Sequence, residues 1–289
     1  MAPIHLFGPV SILARDGTAL PVGGPRQRAV LATLAIQVGH PVTVAQIVES
    51  VWAENPPSTV ANTLQVYISA LRKSLAVIGI VIDRDGPTYR LRADHADIDV
   101  TTFGRLGAAG RAAWRTGDPR AMALLEEALA VCRGDTLAGL ESTPLVEVYR
   151  NGIDQLRLKT ELDYVSALCQ HDRAEDAVVV ASALVSRHPL DERCWAQLMT
   201  AHYYSGRTSD ALAAYQRARR TLLDEIGVEP SRVLVDIQQA ILQKRMPELR
   251  LAPTPAATPV TPDGDAAPTV STVDPATPIV AARFGHVVE

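Results

Sequence analysis

The chain has 289 residues, 47% of them hydrophobic and 21% charged, with a net charge of −4 and three cysteines. That length and apolar content suffice for about two cored domains plus extra segments. The longest apolar-rich stretch, Ala29 to Val38, is too short to cross a bilayer and is interrupted by Thr33 and Gln37.

With no Arg-led apolar leader at its start, the chain is expected to be soluble, unexported and therefore cytoplasmic. Cys132, Cys169 and Cys194 are odd in number and unclustered. That pattern favours buried, reduced thiols over a disulfide framework or a metal site.

In chain order, residues 4–22 read as short strands: IHLFGPVSIL, a turn at Arg15-Asp16-Gly17, then TALPV. Gly23-Gly24-Pro25 opens a helix that runs towards Gly39, with proline at its first position. Thr43 and Gln46 have the spacing of a capping box for a second, short helix ending near Trp52. Asn55-Pro56-Pro57 forces a loop, after which Ser58 is placed to cap a third helix, Ser58 to Leu75.

The third helix is the most informative stretch. Leu64, Ile68, Leu71 and Leu75 fall at i, i+4, i+7 and i+11, a continuous apolar stripe. Asn62, Val66, Ser69 and Lys73 repeat that spacing two residues earlier, about 200° round the wheel. This second stripe is short and uncharged until its last turn, where Arg72 and Lys73 sit together. Small polar groups with terminal cations suit base edges and phosphates.

After Gly79, the runs Val81 to Asp83 and Thr88 to Arg92 are joined at Asp85-Gly86, a tight-turn dipeptide. The hairpin carries Arg84, Arg90 and Arg92. Strands, three helices and a cationic hairpin form the outline of a winged helix-turn-helix of the OmpR type. The same pattern also fits a plain α+β domain with a solvated helix face.

Charge distribution bears on the choice. Residues 1–92 hold eight Lys/Arg against five Asp/Glu, whereas residues 93–246 hold eighteen against twenty-two and residues 247–289 two against five. The only basic segment is the one with the suspected reading head. Its excess is small, so specific contacts must contribute more than the bulk field.

From about Asp97 the pattern is helical almost throughout. Arg173, Asp176 and Ala177 recur 34 positions later as Arg207, Asp210 and Ala211. Trp195, Leu198, Gly206, Ala211, Tyr215 and Ala218 have the spacing of a tetratricopeptide repeat, and Tyr164, Leu168, Ala177, Ala181 and Pro189 form a preceding unit. The second unit lacks its closing proline, and its helix is expected to run on to Gly227. Stretches near Val100–Arg115 and Pro119–Cys132 fit degenerate repeats or caps.

Beyond Met246 the composition turns to Pro, Ala and Thr, which cannot repay the entropy of ordering. Residues 247–289 are therefore expected to be a disordered tail, with one possible docking segment at PIVAARFGHVV.

Nothing points to catalysis. GxSxG, HExxH, CxxC and GxxxxGK[ST] do not occur. Gly104, Gly107 and Gly110 fit close helix packing better than a dinucleotide fingerprint. His171 and His202 make a poor metal pair, and Arg217, Arg219 and Arg220 fit an exposed face or a protein contact better than a phosphate site. The expectation is a non-enzyme without a cofactor.

These motifs, in this order, resemble one family: the Streptomyces antibiotic regulatory proteins. The resemblance is carried by GGPRQRAVLATLAIQVGHPVTVAQIVESVW, PPSTVANTLQVYISALRKSL, ADIDVTTFGRL and DALAAYQRARRTLLDEIGVEPS, and it covers about residues 1–246. It implies a mainly α protein with an OmpR-type winged domain at 1–96, a tetratricopeptide-like bacterial transcriptional activation domain at 97–246 and the tail at 247–289. It also implies an activator that binds direct repeats in double-stranded promoter DNA, recruits RNA polymerase holoenzyme and controls an antibiotic gene cluster.

Carried over by residue, the resemblance turns Asn62, Thr63, Val66, Tyr67 and Ser69 towards DNA and sets Arg72 and Lys73 near phosphate. The wing maps to Arg84, Thr88 and Arg90, with Thr88-Tyr89 where relatives commonly have Gly-Tyr. Longer relatives continue into nucleotidase-like or phosphopeptide-binding modules, whose control is not expected here. Head-to-tail self-association on DNA is expected. A repressor of the same architecture and a repeat-based protein scaffold stay open.

Overall fold

The computed structural model describes residues 2–245, so the expectations for residues 247–289 lie outside it. The described residues form two compact units that divide between Asp163 and Tyr164.

The first unit begins with β1 (Ile4–His5), β2 (Ser11–Leu13) and β3 (Ala19–Leu20), an antiparallel sheet in that order with Ile12 opposite both Ile4 and Leu20. At the expected turn, the Asp16 carboxylate accepts the Thr18 N–H at 2.9 Å and Gly17 takes a φ of +85°. Helix α1 (Pro25–Ile36) follows, with proline in its first turn, where the backbone N–H has no helical partner anyway. It is buried from Ala29 to Ile36. Its one interior hydroxyl, Thr33, donates to the Ala29 carbonyl and shares a bond with Ser50, so that hydroxyl is satisfied within the core.

A short strand β4 (Val42–Thr43) leads into α2 (Val44–Trp52), capped by the expected reciprocal Thr43–Gln46 box. Helix α3 covers Val60–Ala76 and not Ser58 to Leu75. Thr59 stands at its N-cap, without a side-chain capping bond, so Ser58 does not cap it. Leu64, Ile68, Leu71 and Leu75 are all buried, as the stripe required.

Strands β5 (Val81–Asp85) and β6 (Thr88–Arg92) form a hairpin whose two-residue turn is Gly86-Pro87, so β5 runs two residues past its expected end. Together with β4 they make a second sheet in the order β4-β6-β5, in which Tyr89 pairs with both Val42 and Arg84. The N-terminal part is a winged helix-turn-helix with an extra sheet.

Helices α4 (Asp99–Thr116), α5 (Ala121–Val131) and the long α6 (Pro144–Gln170) as far as Asp163 complete the unit. Residues beyond 96 join it through specific bonds. The buried Asp99 carboxylate accepts the N–H groups of Leu6, Phe7 and Val100, tying α4 to the first sheet. Burial pushes that carboxyl above its ordinary range despite these donors. Thr143 donates to the Ser50 carbonyl at 3.1 Å, and Gln37 donates to the Tyr149 hydroxyl at 3.3 Å.

The glycines of α4 permit close packing. A Cβ on Gly107 would lie 2.9 Å from the Thr160 hydroxyl, and one on Gly110 would lie 2.8 Å from Leu125 Cγ.

The second unit starts in the C-terminal part of α6 and continues through α7 (Ala174–Arg187), α8 (Glu192–Tyr204), α9 (Thr208–Ile226) and α10 (Arg232–Leu242). The period of 34 sets two helix starts: Arg173 and Arg207 are the N-cap residues of α7 and α9, and Ala177 and Ala211 are fully buried. Arg207 also donates to the Glu175 carboxylate of α7 at 2.8 Å. Helix α9 ends at Gly227, with φ at +71°, where the missing proline predicted an extended helix.

His202, near the C-terminus of α8, is only 8% exposed, and its Nδ1 has no partner among the described residues. Burial lowers its pKa below the usual 6.5; Arg207 and Arg217 act in the same direction, and Asp210 and Glu175 act against them. The folded state therefore favours the neutral ring. Its contribution is fully present above about pH 6.5 and is lost as pH falls, because the unfolded chain takes up the proton first. Thermal melts at pH 7.5 and 5.5 are expected to show a smaller acid loss for His202→Gln than for wild type; equal losses would count against this account.

Candidate nucleic-acid interface

One face of α3 is packed and the other is free. Asn62, Gln65, Val66, Ser69, Ala70 and Lys73 line a shallow depression on the free face. At about 100° per residue they lie opposite the buried leucine stripe. Asn62, Val66, Ser69 and Lys73 are all exposed, and the Lys73 ammonium is in no ion pair among the described residues. Sequence spacing missed Gln65 and Ala70. Gln65 follows Asn62 at i+3 and Ala70 follows Val66 at i+4, so both neighbour the stripe on the same face. A single line of i, i+4, i+7 and i+11 takes one residue per turn and leaves them out.

The remaining α3 residues sit on the flanks. Thr63 is half-buried, and its hydroxyl donates to the Thr59 carbonyl at 3.1 Å. Tyr67 is half-buried and stacks on Trp52 of α2, with ring centroids 6.2 Å apart and planes 4° from parallel. That contact ties α3 to the end of α2. Arg72 lies on the opposite flank, where its Nε donates to the Ile82 carbonyl of β5 at 2.9 Å. Sequence spacing put Arg72 with Lys73; the fold uses part of its guanidinium to brace α3 against the wing.

On the wing, Arg84 is exposed and lies 5.6 Å from the Tyr89 ring centroid, a cation–π distance. Thr88 donates its hydroxyl to the Asp85 carbonyl at 2.8 Å, so its side chain closes the turn. Arg90 is half-buried, and Arg92 is paired with Asp83. Arg90 and Arg92 line a second hollow with Arg15, which comes from the turn between β2 and β3, and with Asp94 and Asp97. Only folding brings Arg15 there.

Other candidates are occupied by structure. Arg219 makes a two-pronged bond to Glu229, both distances 2.7 Å, and Arg217 lies 5.9 Å over the Trp195 ring. The cysteines are free thiols; burial pushes Cys132 up to about 12 and Cys169 up to about 11, far from a reactive thiolate. Among the described residues no three His, Cys, Asp or Glu are grouped to hold a metal ion, and no helix is long and apolar enough to cross a membrane.

Residues 21–91 match the C-terminal domain of transcriptional regulatory proteins, and residues 98–242 match the bacterial transcriptional activator domain. Regulatory protein DnrI of Streptomyces peucetius is 34% identical over 259 residues, covering 83% of this chain and 92% of DnrI. The chain belongs to the Streptomyces antibiotic regulatory protein family.

This is a family of transcriptional regulators. Regulatory protein AfsR of Streptomyces coelicolor is 38% identical over 82% of this chain, which spans only 24% of AfsR. The structure of Mycobacterium tuberculosis EmbR, solved in complex with a low affinity phosphopeptide, superposes with a TM-score of 0.79 at 34% identity. It covers 84% of this chain, and this chain covers 65% of it.

Proposed function

We propose that this family member is a sequence-specific transcriptional activator, acting in the cytoplasm on the nucleoid. Residues 1–96 bind double-stranded promoter DNA at direct repeats, and residues 97–246 help recruit RNA polymerase holoenzyme. The target is a secondary-metabolite gene cluster, and the protein acts without catalysis or a cofactor. The observation that carries this reading is the free face of α3: exposed, uncharged at its centre, with amide and hydroxyl side chains around Val66 and a cation at its end, on a helix held by its packed face, by Tyr67 on Trp52 and by Arg72 on the wing. Asn62, Val66, Ser69 and Lys73 stand on the reading surface, and Arg84 and Arg90 on the wing. Thr63, Tyr67, Arg72 and Thr88 contribute mainly by holding that surface in place.

A gel shift of the full chain against DNA upstream of its own and neighbouring genes tests the reading. A specific shift is expected, and its absence on all such fragments would favour the scaffold alternative. Lys73→Ala is expected to weaken binding to all sequences and to reduce the salt slope by roughly one unit. Asn62→Ala is expected to cost about 1–3 kcal/mol at one base pair. Equal losses for Asn62→Ala on specific and random DNA would remove that residue from base reading.

A further inference from the structure

The centre of the α3 reading surface is apolar. Val66 is 65% exposed, with Asn62, Gln65, Ser69 and Ala70 around it and Lys73 at the end of the depression. Single exposed aliphatic residues are common on protein surfaces. What distinguishes Val66 is its place on the line where base edges would lie.

The face also lacks a guanidinium. Arg72 is the sole arginine of α3 and lies on the flank, with its Nε on the Ile82 carbonyl. The commonest specific contact in the major groove, arginine to the O6 and N7 of guanine, is therefore not supplied from the centre of this helix. Asn62 and Gln65 carry amides, whose paired donor and acceptor match N6 and N7 of adenine. An aliphatic side chain has one complementary feature in that groove, the 5-methyl group of thymine. Asn62 and Val66 stand one helical turn apart, about 5–6 Å between Cβ atoms. Base pairs rise by about 3.4 Å, so the two side chains address neighbouring pairs.

We propose that Val66 determines specificity by packing on the 5-methyl group of a thymine, within a half-site whose central pairs are A·T and are read together with Asn62 and Gln65. The inference rests on α3 being the recognition helix.

The test starts by selecting the preferred duplex from a random pool with the full chain. Each thymine of the selected site is then replaced singly by deoxyuridine, which removes only the methyl group. Wild type is expected to lose about four-fold in affinity at one position per half-site, the worth of one buried carbon, and little elsewhere. Val66→Ser, which lacks both γ-methyl groups, is expected to be indifferent to uracil at that position. Val66→Thr, which keeps one γ-methyl group, should retain part of the sensitivity. Matching urea midpoints for the variants would confirm that the exposed substitution leaves the fold intact.

A selected site without thymine under α3 would overturn the inference and leave sequence-specific binding standing. So would indifference of wild type to every uracil, or equal sensitivity in Val66→Ser. A pool that yields no preferred sequence would overturn the parent reading as well.

Discussion

Replacing Trp195 by alanine is expected to lower the stability of the second unit by about 3–5 kcal/mol, the range for removing a large buried aromatic side chain. The indole is 5% exposed, its Nε1 donates to the Pro189 carbonyl at 2.8 Å, and Arg217 lies over its ring. Truncation leaves a cavity and also removes the donor from Pro189, at the turn between α7 and α8. Trp195→Phe keeps most of the ring and loses the donor, so it should cost less. Urea unfolding followed by circular dichroism measures both variants. Well below its melting temperature, Trp195→Ala should still shift the specific duplex, because the proposed reading surface lies on α3 and the wing. Unchanged stability would mean that Trp195 does not pack as described and is free for another task.

The sequence displayed what is periodic or local. The buried stripe of α3, the Thr43–Gln46 box and the Pro25 start depend on residues within a few positions of one another. The 34-residue recurrence of Arg173, Asp176 and Ala177 is equally legible, because the same helix start is built twice. The reading failed where a side chain has two uses or where its partner is remote. Ser58 has the chemistry of a cap, yet the helix begins at Val60. Arg72 looks like part of a terminal cation pair, but the carbonyl it meets belongs to a strand ten residues on. Asp99 reads as an ordinary helix-start acid, while its carboxylate binds the N–H groups of Leu6 and Phe7 more than ninety residues away. That long-range anchor is one reason why compactness divides the chain within α6, whereas the family domains meet near residue 97.

If the protein binds direct repeats as proposed, inserting about half a helical turn between two half-sites should abolish cooperative binding, and inserting a whole turn should partly restore it. The argument is one of symmetry. A two-fold dimer presents its two reading helices in opposite directions and demands a palindrome, whereas direct repeats require a head-to-tail contact between unlike surfaces of successive protomers. Such a contact closes only when both protomers face the same side of the duplex, which half-sites about 10–11 bp apart centre to centre allow. Linking two binding events in this way raises overall affinity by roughly 10²–10⁴, so its loss is large and easily read in a gel shift. An insertion of about 5 bp turns the second protomer to the opposite face and leaves two independent, weak sites. A whole-turn insertion restores the facing but stretches the contact by about 34–36 Å, so recovery should be incomplete. Equal cooperativity at every spacing would show that the protomers bind without touching. Loss of cooperativity when one repeat is inverted at unchanged spacing would support the head-to-tail arrangement directly, because inversion keeps both half-sites and removes only their common direction.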